Sequence, residues 1–464
     1  VSVAVMEDRE TRDALGELGL RPSRALGQNF LVDGGVAGEI TGALALAEGD
    51  CVIEFGPGLG ALTEHVIGRC SKQVLVELDR RMAARLVEVY GNQPNVVVVE
   101  QDAAKFDLRP YFRERPLKLL GNLPYSTGTA ILREALTLPS PVDLAIFMLQ
   151  AEVAARLVAH PRSKSYGALS LLVGIDWKVE RVLEVGPESF VPQPKVQSSV
   201  VRFTPRPRGE LGPVDRRLFR ELVTRGFSQR RKQLRKLLPT HTELDWGEVV
   251  SELGVLETVR AEELELDQWA ALVRVYSGRA ALWNPDFPVG QRADEEFDVV
   301  DSNDQVIGRA SRAEVHGRGL LHRAVHVVLF NKKGEILLQR RSPWKDTHPG
   351  LWDSSAAGHL DVGEDYGSAA LREMREELGV GAHDLKRVAV LPASEATGFE
   401  HVWVYQGLID GKVTPAPEEV ESTLWMGLDD LDSWLSSRPQ DFAPAFLKVM
   451  EAMDSGIRGE PDGV

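Results

Sequence analysis

Cysteine is nearly absent from this chain: Cys51 and Cys70 are the only two in 464 residues. Two thiols exclude a disulfide-built scaffold, cannot alone make a zinc site, and fit a reducing compartment. Long apolar runs are missing as well. No stretch approaches the ~18 residues that a membrane span needs, and the opening VSVAVMEDRE lacks the apolar core of a secretory signal. A cytoplasmic protein with no membrane partner is the expectation. Aromatic residues are sparse at 7%, but 43% apolar and 27% charged residues describe an ordinary globular composition. The length is too great for one core, so two or three domains are expected. A net positive charge is also lacking, since the formal total is −15. That sum hides a division: residues 1–280 total about −1, whereas Val201–Thr240 alone carries twelve basic and three acidic residues. A basic element therefore sits in a near-neutral first part, ahead of an acidic second part.

From Asp50 to Leu149 short apolar runs alternate with helical stretches. CVIEF, QVLVEL, NVVVVE, LKLLGN and VDLAIFML read as strands, and Ala61–Arg69 and Arg80–Tyr90 as helices between them. This alternation predicts an α/β domain with a mostly parallel sheet. Two further strands are expected at Ile175–Val185 and Ser198–Phe203, then an arginine-rich helical region from about Asp215 to Tyr276. SGRAALWNPDFPVGQRADEE reads as a connection. Beyond it FDVVD, AVHVVLF and EILLQRR read as strands before one strong helix, Ser368–Leu378.

VIEFGPGLGALT places Gly56, Gly58 and Gly60 between a strand and a helix, where glycine lets the backbone approach a ligand. Alone this spacing fits a tight turn or a dinucleotide fingerprint equally well. Three acids narrow the choice. Glu54 precedes the loop, Glu77 ends the second strand with oxygens for both ribose hydroxyls, and Asp102 ends the third, where it can accept from an adenine amine. A glycine loop ringed by acids and free of basic residues suits a cationic, phosphate-free nucleoside such as S-adenosylmethionine.

GNLPYST, Gly121–Thr127, follows the fourth strand. The amine of adenine is a poor nucleophile because its lone pair is delocalised into the ring. An Asn122 side-chain oxygen and a backbone carbonyl held by Pro124 would accept its two N–H bonds and localise that lone pair. Tyr125 offers a face for an extruded base. Orientation and electrostatics then carry an in-line methyl transfer without a strong base.

With RALGQNFLVD, VIEFGPGLGALT, VELD, GNLPYST, SFVPQPKVQSSVVRF and FSQRRKQLRKLL in this order, residues 20–276 resemble the small-subunit ribosomal RNA adenine dimethyltransferases. The resemblance implies dimethylation of two adjacent adenines near the 3′ end of small-subunit rRNA, on the rRNA or a pre-30S particle. It implies cofactor contacts at Gln28, Asn29, Leu31, Gly56, Gly58, Glu77, Asp102 and Asn122, and a second aromatic clamp at Phe190 against Tyr125. Ala151 stands where the family usually carries Lys. Large-subunit methyltransferases of the macrolide-resistance type share these motifs and are the alternative. In Asp215–Leu238, Leu218, Phe219, Leu222, Val223 and Phe227 recur at helical spacing. The basic residues left outside, among them Arg230, Arg231, Lys232, Arg235 and Lys236, are candidates for RNA phosphate.

The second part carries another pattern. Gly358, Glu364 and the run Arg372-Glu373-Met374-Arg375-Glu376-Glu377-Leu378-Gly379-Val380 fit the Nudix box at every fixed position. Glu373 and Glu377 share one helix face, and with Glu364 and Glu376 they form a carboxylate cluster suited to Mg²⁺. Arg372 would brace them by ion pairing. A small phosphorylated substrate is implied, hydrolysed at a diphosphate; a nucleotide-sensing module is the alternative. The flanking segments resemble the isopentenyl-diphosphate-isomerase-like branch of that superfamily. Ala357, however, stands where those isomerases carry a catalytic cysteine, and Gly398 replaces one of two paired acids, the other aligning with Glu400. His316, His322 and His359 fall where isomerase metal ligands would sit, and each alone reads more simply as a structural histidine. The expected organisation is a Rossmann-like methyltransferase domain at 1–204, a helical RNA-binding subdomain at 205–276, a linker at 277–294, and an α+β Nudix sandwich at 295–464.

Overall fold

The computed structural model describes residues 8–19, 29–124, 127–207, 209–239, 245–278, 294–343, 345, 347–381 and 384–457. These divide into two compact units, Val1–Leu211 with Val223–Leu238 and Thr258–Trp269, and Gly212–Leu222 with Pro239–Glu257 and Ala270–Val464. The arginine-rich helical stretch is thus shared between them. Most of the connection at 277–294 lies outside the described residues. No helix among them is long and apolar enough to cross a membrane.

In the first unit a short pair, β1 (Phe30–Leu31) and β8 (Phe190–Val191), accompanies a seven-stranded sheet. Its strands are β2 (Cys51–Phe55), β3 (Lys72–Glu77), β4 (Val96–Glu100), β5 (Leu117–Asn122), β6 (Val142–Gln150), β7 (Trp177–Val185) and β9 (Ser198–Pro205), in the order β4-β3-β2-β5-β6-β9-β7. The first five are parallel, and β9 and β7 add antiparallel. β2 is buried at all five positions, as a strand covered on both faces requires. Ile53, Val74, Leu119 and Phe147 fill one face, and Val52, Leu120, Ile146 and Met148 the other. The helix at Arg80–Tyr90 forms as expected, capped by the Asp79 carboxylate on the amides of Arg81 and Met82. The helix expected at Ala61–Arg69 does not. Only a 3₁₀ turn, Thr63–His65, follows the glycine loop, and Gly68, at φ +72°, closes off propagation.

The arginine-rich segment is also not one helix. Arg216–Gly226 is helical, and the chain then tightens into 3₁₀ turns at Phe227–Gln229 and Leu234–Lys236. The break falls after Gly226, a poor helix former. There Phe227 stacks on Trp269 and meets Tyr166 edge-on, which turns the chain inward.

In the second unit β10 (Glu296–Val300) and β11 (Val306–Ser311) form a hairpin. A second seven-stranded sheet comprises β12 (His322–Phe330), β13 (Ile336–Arg341), β14 (Trp352–Asp353), β15 (Ala356–His359), β16 (Lys386–Leu391), β17 (Glu400–Leu408) and β18 (Val420–Met426). β12 pairs with β17 in parallel and with β15 antiparallel. The helix Tyr366–Leu378 lies over this sheet, its Ala369, Ala370, Met374 and Leu378 packed with Val325, Val327 and Leu337. Asp365 caps its start by accepting from the amides of Gly367 and Ser368, and Gly379 ends it in a left-handed turn.

Candidate functional site

In the first unit the parallel strands end at the glycine loop, where open parallel sheets hold their ligands. Gly56, Gly58 and Gly60 all have positive φ, at 68°, 58° and 92°. A side chain at Gly60 would also run into the Tyr90 hydroxyl, 2.5 Å from where its Cβ would stand. Glu77 is buried at the end of β3; its Oε2 accepts from the Gly58 amide at 3.1 Å and its Oε1 from Asp79 at 2.9 Å. Burial holds its pKa above the usual carboxylate range, against those hydrogen bonds. Asp102, half-buried, accepts from the amide of Ala104.

Asn122 closes β5, with its Nδ2 donating to the Asn29 carbonyl at 3.0 Å. That bond orients the amide and leaves Oδ1 to accept. The Pro124 carbonyl is engaged by the amides of Thr127 and Gly128, at 3.2 and 2.7 Å. Two donors take up the lone pairs of that oxygen, and across the shared peptide bond the neighbouring carbonyl is that of Leu123. Leu31 is buried, paired with Phe190 in the β1–β8 register. Gln28 and Tyr125 lie outside the described residues.

Two expected contacts stand elsewhere than anticipated. Glu54 is 1% exposed, and its Oε2 accepts from Thr63 Oγ at 2.7 Å and Gln73 Nε2 at 3.3 Å. Its place within β2, buried on both faces, commits it to bracing the turn after the glycine loop. Phe190 is likewise 1% exposed, enclosed with Leu31, Val185 and Val200 rather than open to a base. Its two-residue strand pairs with β1, and that pairing draws the ring inside.

Burial pushes the Glu54 pKa up from 4.5 to about 7. Between those values the folded protein keeps a proton that the unfolded chain has lost. The associated stability is full below about pH 4.5 and is lost as pH rises through 7. Glu54→Gln should remove that dependence, a relative gain of about 3 kcal/mol at pH 8 over pH 4.5. Denaturant unfolding at both pH values checks it; parallel curves for the two proteins would refute it.

All five basic candidates are exposed. Arg230, however, is pinned: it bonds Glu262 at 2.8 and 3.0 Å and the carbonyls of Ser163 and Lys164. Arg235 reaches Gln233.

In the second unit Glu373 and Glu377 are buried on the sheet-facing side of their helix. Gly358 permits this, because a Cβ there would lie 2.0 Å from a Glu373 carboxylate oxygen. Glu377 Oε2 accepts from Gln339 Nε2 and the Ala357 amide, both at 3.0 Å, and Oε1 from Lys345 at 3.1 Å. Arg372 spans Glu364 at 2.9 Å, Glu373 at 2.8 Å, Glu376 at 3.0 Å and the His359 carbonyl at 2.8 Å, the bracing role expected of it. Burial first, and the charge of Glu377 next, push the Glu373 pKa up to about 8. Two carboxylates forced together away from water are a donor set that a hard divalent cation neutralises. They line a cavity of about 570 Å³ together with Arg341 and Lys345.

His316 and His359 line the same cavity and, with His322, form the group that the isomerase resemblance pointed to and that reading each histidine alone as structural set aside. The ring nitrogens of His316, His322 and His359 lie within 4.8 Å of one another. His359 Nε2 is 3.0 Å from Glu400 Oε1 and His322 Nε2 3.6 Å. His322 places Nδ1 on the Leu320 carbonyl at 2.9 Å, which turns Nε2 toward the group. Three imidazoles and a carboxylate suit zinc or another first-row metal. The β12–β17 register seats His322 opposite Glu400.

A parallel sheet with a glycine loop and acidic strand ends, followed by a carboxylate-bearing helix on a mixed sheet, defines a Rossmann-like methyltransferase with a Nudix-type domain behind it. Residues 20–277 match the family model described as ribosomal RNA adenine dimethylase, and the chain belongs to that family. Residues 320–447 match the NUDIX domain model. Ribosomal RNA small subunit methyltransferase A of Cupriavidus metallidurans is 41% identical over 265 residues, covering 55% of this chain and 93% of that protein. The protein of the same name from Bordetella pertussis is 39% identical over 251 residues, covering 54% and 92%. A dimethyladenosine transferase from Plasmodium falciparum shares 23% identity at a TM-score of 0.47, over 54% of this chain and 98% of its own. The match to the second unit stops at the Nudix domain as a whole and gives no support to the isopentenyl-diphosphate-isomerase-like branch.

Proposed function

We propose that the first part of the chain transfers methyl groups from S-adenosylmethionine to the exocyclic amines of two adjacent adenines near the 3′ end of small-subunit rRNA. The substrate is the rRNA within a pre-30S particle in the cytoplasm. The observation that carries this reading is the orientation of Asn122, whose Nδ2 is held by the Asn29 carbonyl so that Oδ1 remains an acceptor. S-adenosylmethionine supplies an electrophilic methyl on a sulfonium. Glu77 and Asp102 bind its ribose and adenine, the glycine loop admits it, and Asn29 and Leu31 line its site. Asn122 Oδ1 and the Leu123 carbonyl accept the two N–H bonds of the target amine and direct its lone pair. The nitrogen forms the new N–C bond, the S–C bond breaks, and the nitrogen then releases a proton. Tyr125 stacks on the base. The small-subunit names of the 39–41% identical relatives favour this target over large-subunit rRNA.

Arg231, Lys232, Arg235 and Lys236 supply phosphate contacts, and Arg230 holds their loop against Glu262. Replacing Arg231, Lys232 and Lys236 together by Ala should reduce the slope of log K against log salt by about 2–3. RNA binding measured between 50 and 300 mM salt tests this, and an unchanged slope would remove the role.

We infer that residues 295–464, beyond a linker at 277–294, form a hydrolase acting on a small diphosphate, with 205–276 serving the methyltransferase as RNA-binding subdomain. Glu364, Glu373, Glu376 and Glu377 would hold Mg²⁺, which supplies Lewis-acid charge to phosphate oxygens. Arg372 fixes the glutamates. Isomerase chemistry is disfavoured because Ala357 and Gly398 offer no proton-transferring group. The test is a screen of nucleoside di- and triphosphates, dinucleoside polyphosphates, sugar nucleotides and isopentenyl diphosphate with Mg²⁺. Saturable binding without turnover would favour a nucleotide-sensing module instead.

A further inference from the structure

The carboxylates of the Nudix helix already have a cation beside them. Lys345 is buried, its side chain 5% exposed, and its Nζ lies 3.1 Å from Glu377 Oε1 and in close ion contact with Glu419 Oε2. Glu377 itself is 1% exposed. Both hydrogen bonds to its Oε2 come from fixed partners, the Gln339 amide within β13 and the backbone amide of Ala357 in β15. Two N–H donors fill the lone pairs of that oxygen. Only Oε1 is left for a metal, and Oε1 is the atom that Lys345 holds. Glu373 shows the matching asymmetry, since Arg372 engages its Oε1. A divalent cation reaching across these two glutamates must therefore share Glu377 Oε1 with an ammonium in a site where water screens little.

We propose that Lys345 is an internal competitor of the divalent cation: it neutralises Glu377 in the metal-free protein, and metal binding shifts it onto Glu419. This inference rests on the carboxylate site proposed above. Glu419 is suited to take up the displaced ammonium. It already pairs with Lys345, and at 25% side-chain exposure it lies nearer solvent than Glu377. Paired with two carboxylates, Glu377 and Glu419, the competing group is an ammonium. A lysine placed here keeps two buried carboxylates tolerable before metal arrives, at the expense of metal affinity. Cation loading then depends on how firmly Glu419 draws the ammonium away.

The test is calorimetric titration of the full chain with MgCl₂, without nucleotide, alongside thermal unfolding with and without the ion. Mg²⁺ is the probe because it prefers oxygen donors and so reports the carboxylates rather than the histidine cluster. Lys345→Met is expected to unfold at lower temperature without Mg²⁺, to gain more from Mg²⁺ than the parent, and to bind it at least about tenfold more tightly. Lys345→Arg, which keeps the charge, should resemble the parent. Glu419→Gln should shift affinity the opposite way, to about tenfold weaker, because Lys345 is left with Glu377 alone; it serves if Lys345→Met fails to fold. A purely structural lysine would lower the unfolding temperature equally with and without Mg²⁺ and leave affinity unchanged in both variants, which would overturn the proposal. If the parent binds Mg²⁺ and the variants bind it equally, only the competition fails. If the parent binds none, the carboxylate-site reading fails with it.

Discussion

Asn122→Ala is expected to lower methyl transfer to unmethylated small subunits by at least a factor of about 10²–10³, while binding of S-adenosylmethionine changes only a few-fold. The asymmetry follows from the amide's geometry. Its Nδ2 is spent on the Asn29 carbonyl, a contact within the protein, and its Oδ1 is the group proposed to meet the target amine. Removing that oxygen leaves the lone pair of the adenine delocalised at the moment the N–C bond forms, a loss felt in the transition state more than in the bound state. Glu77 and Asp102, the proposed cofactor contacts, are untouched. Asn122→Asp restores an acceptor but sets a carboxylate against the Asn29 carbonyl with no proton to donate, so an intermediate rate is expected. Single-turnover transfer of labelled methyl, with cofactor binding measured separately, distinguishes these outcomes. Full activity in the Ala variant would remove the proposed active site.

Glu377→Gln should abolish the Mg²⁺-dependent hydrolysis found in the substrate screen, by at least about a thousandfold, with folding retained. The amide oxygen of Gln can still accept from Gln339 and Ala357, so the packing between helix and sheet survives. Its NH₂ group then faces Lys345, donor against donor, and neither can bind a cation. Unchanged turnover in that variant would show that another group carries the chemistry, and the histidine cluster with Glu400 would be the next to replace.

Much of this arrangement was legible in the residues. The five parallel strands, the glycine turn and the acids at strand ends follow from apolar alternation and from backbone demands that few residues meet. The Nudix helix was equally plain, because Glu373 and Glu377 fall four apart. What the sequence could not show is how a side chain divides between ligand and neighbours. Glu54 and Glu77 look alike as acids at strand ends, yet Thr63 and Gln73 claim the first, and the second lies beside the loop amide of Gly58. Arg230 and Arg231 are adjacent in a basic run, and only packing reveals that Glu262 takes one of them. The histidine cluster joins residues from 316 to 400: His322 faces Glu400 across the parallel β12–β17 pair, His359 comes in on the antiparallel β15, and His316 on the helix Arg312–Arg318. Lys345 was missed for the same reason, since its partners lie on the helix and on the loop before β18.

The central claim is tested most directly by incubating the full chain and S-adenosylmethionine with small subunits that lack the modification, then mapping the rRNA by mass spectrometry. The expected result is two adjacent dimethylated adenines near the 3′ end, absent with the Asn122→Ala protein. Methylation confined to large-subunit rRNA, or small-subunit methylation that persists without Asn122, would contradict it.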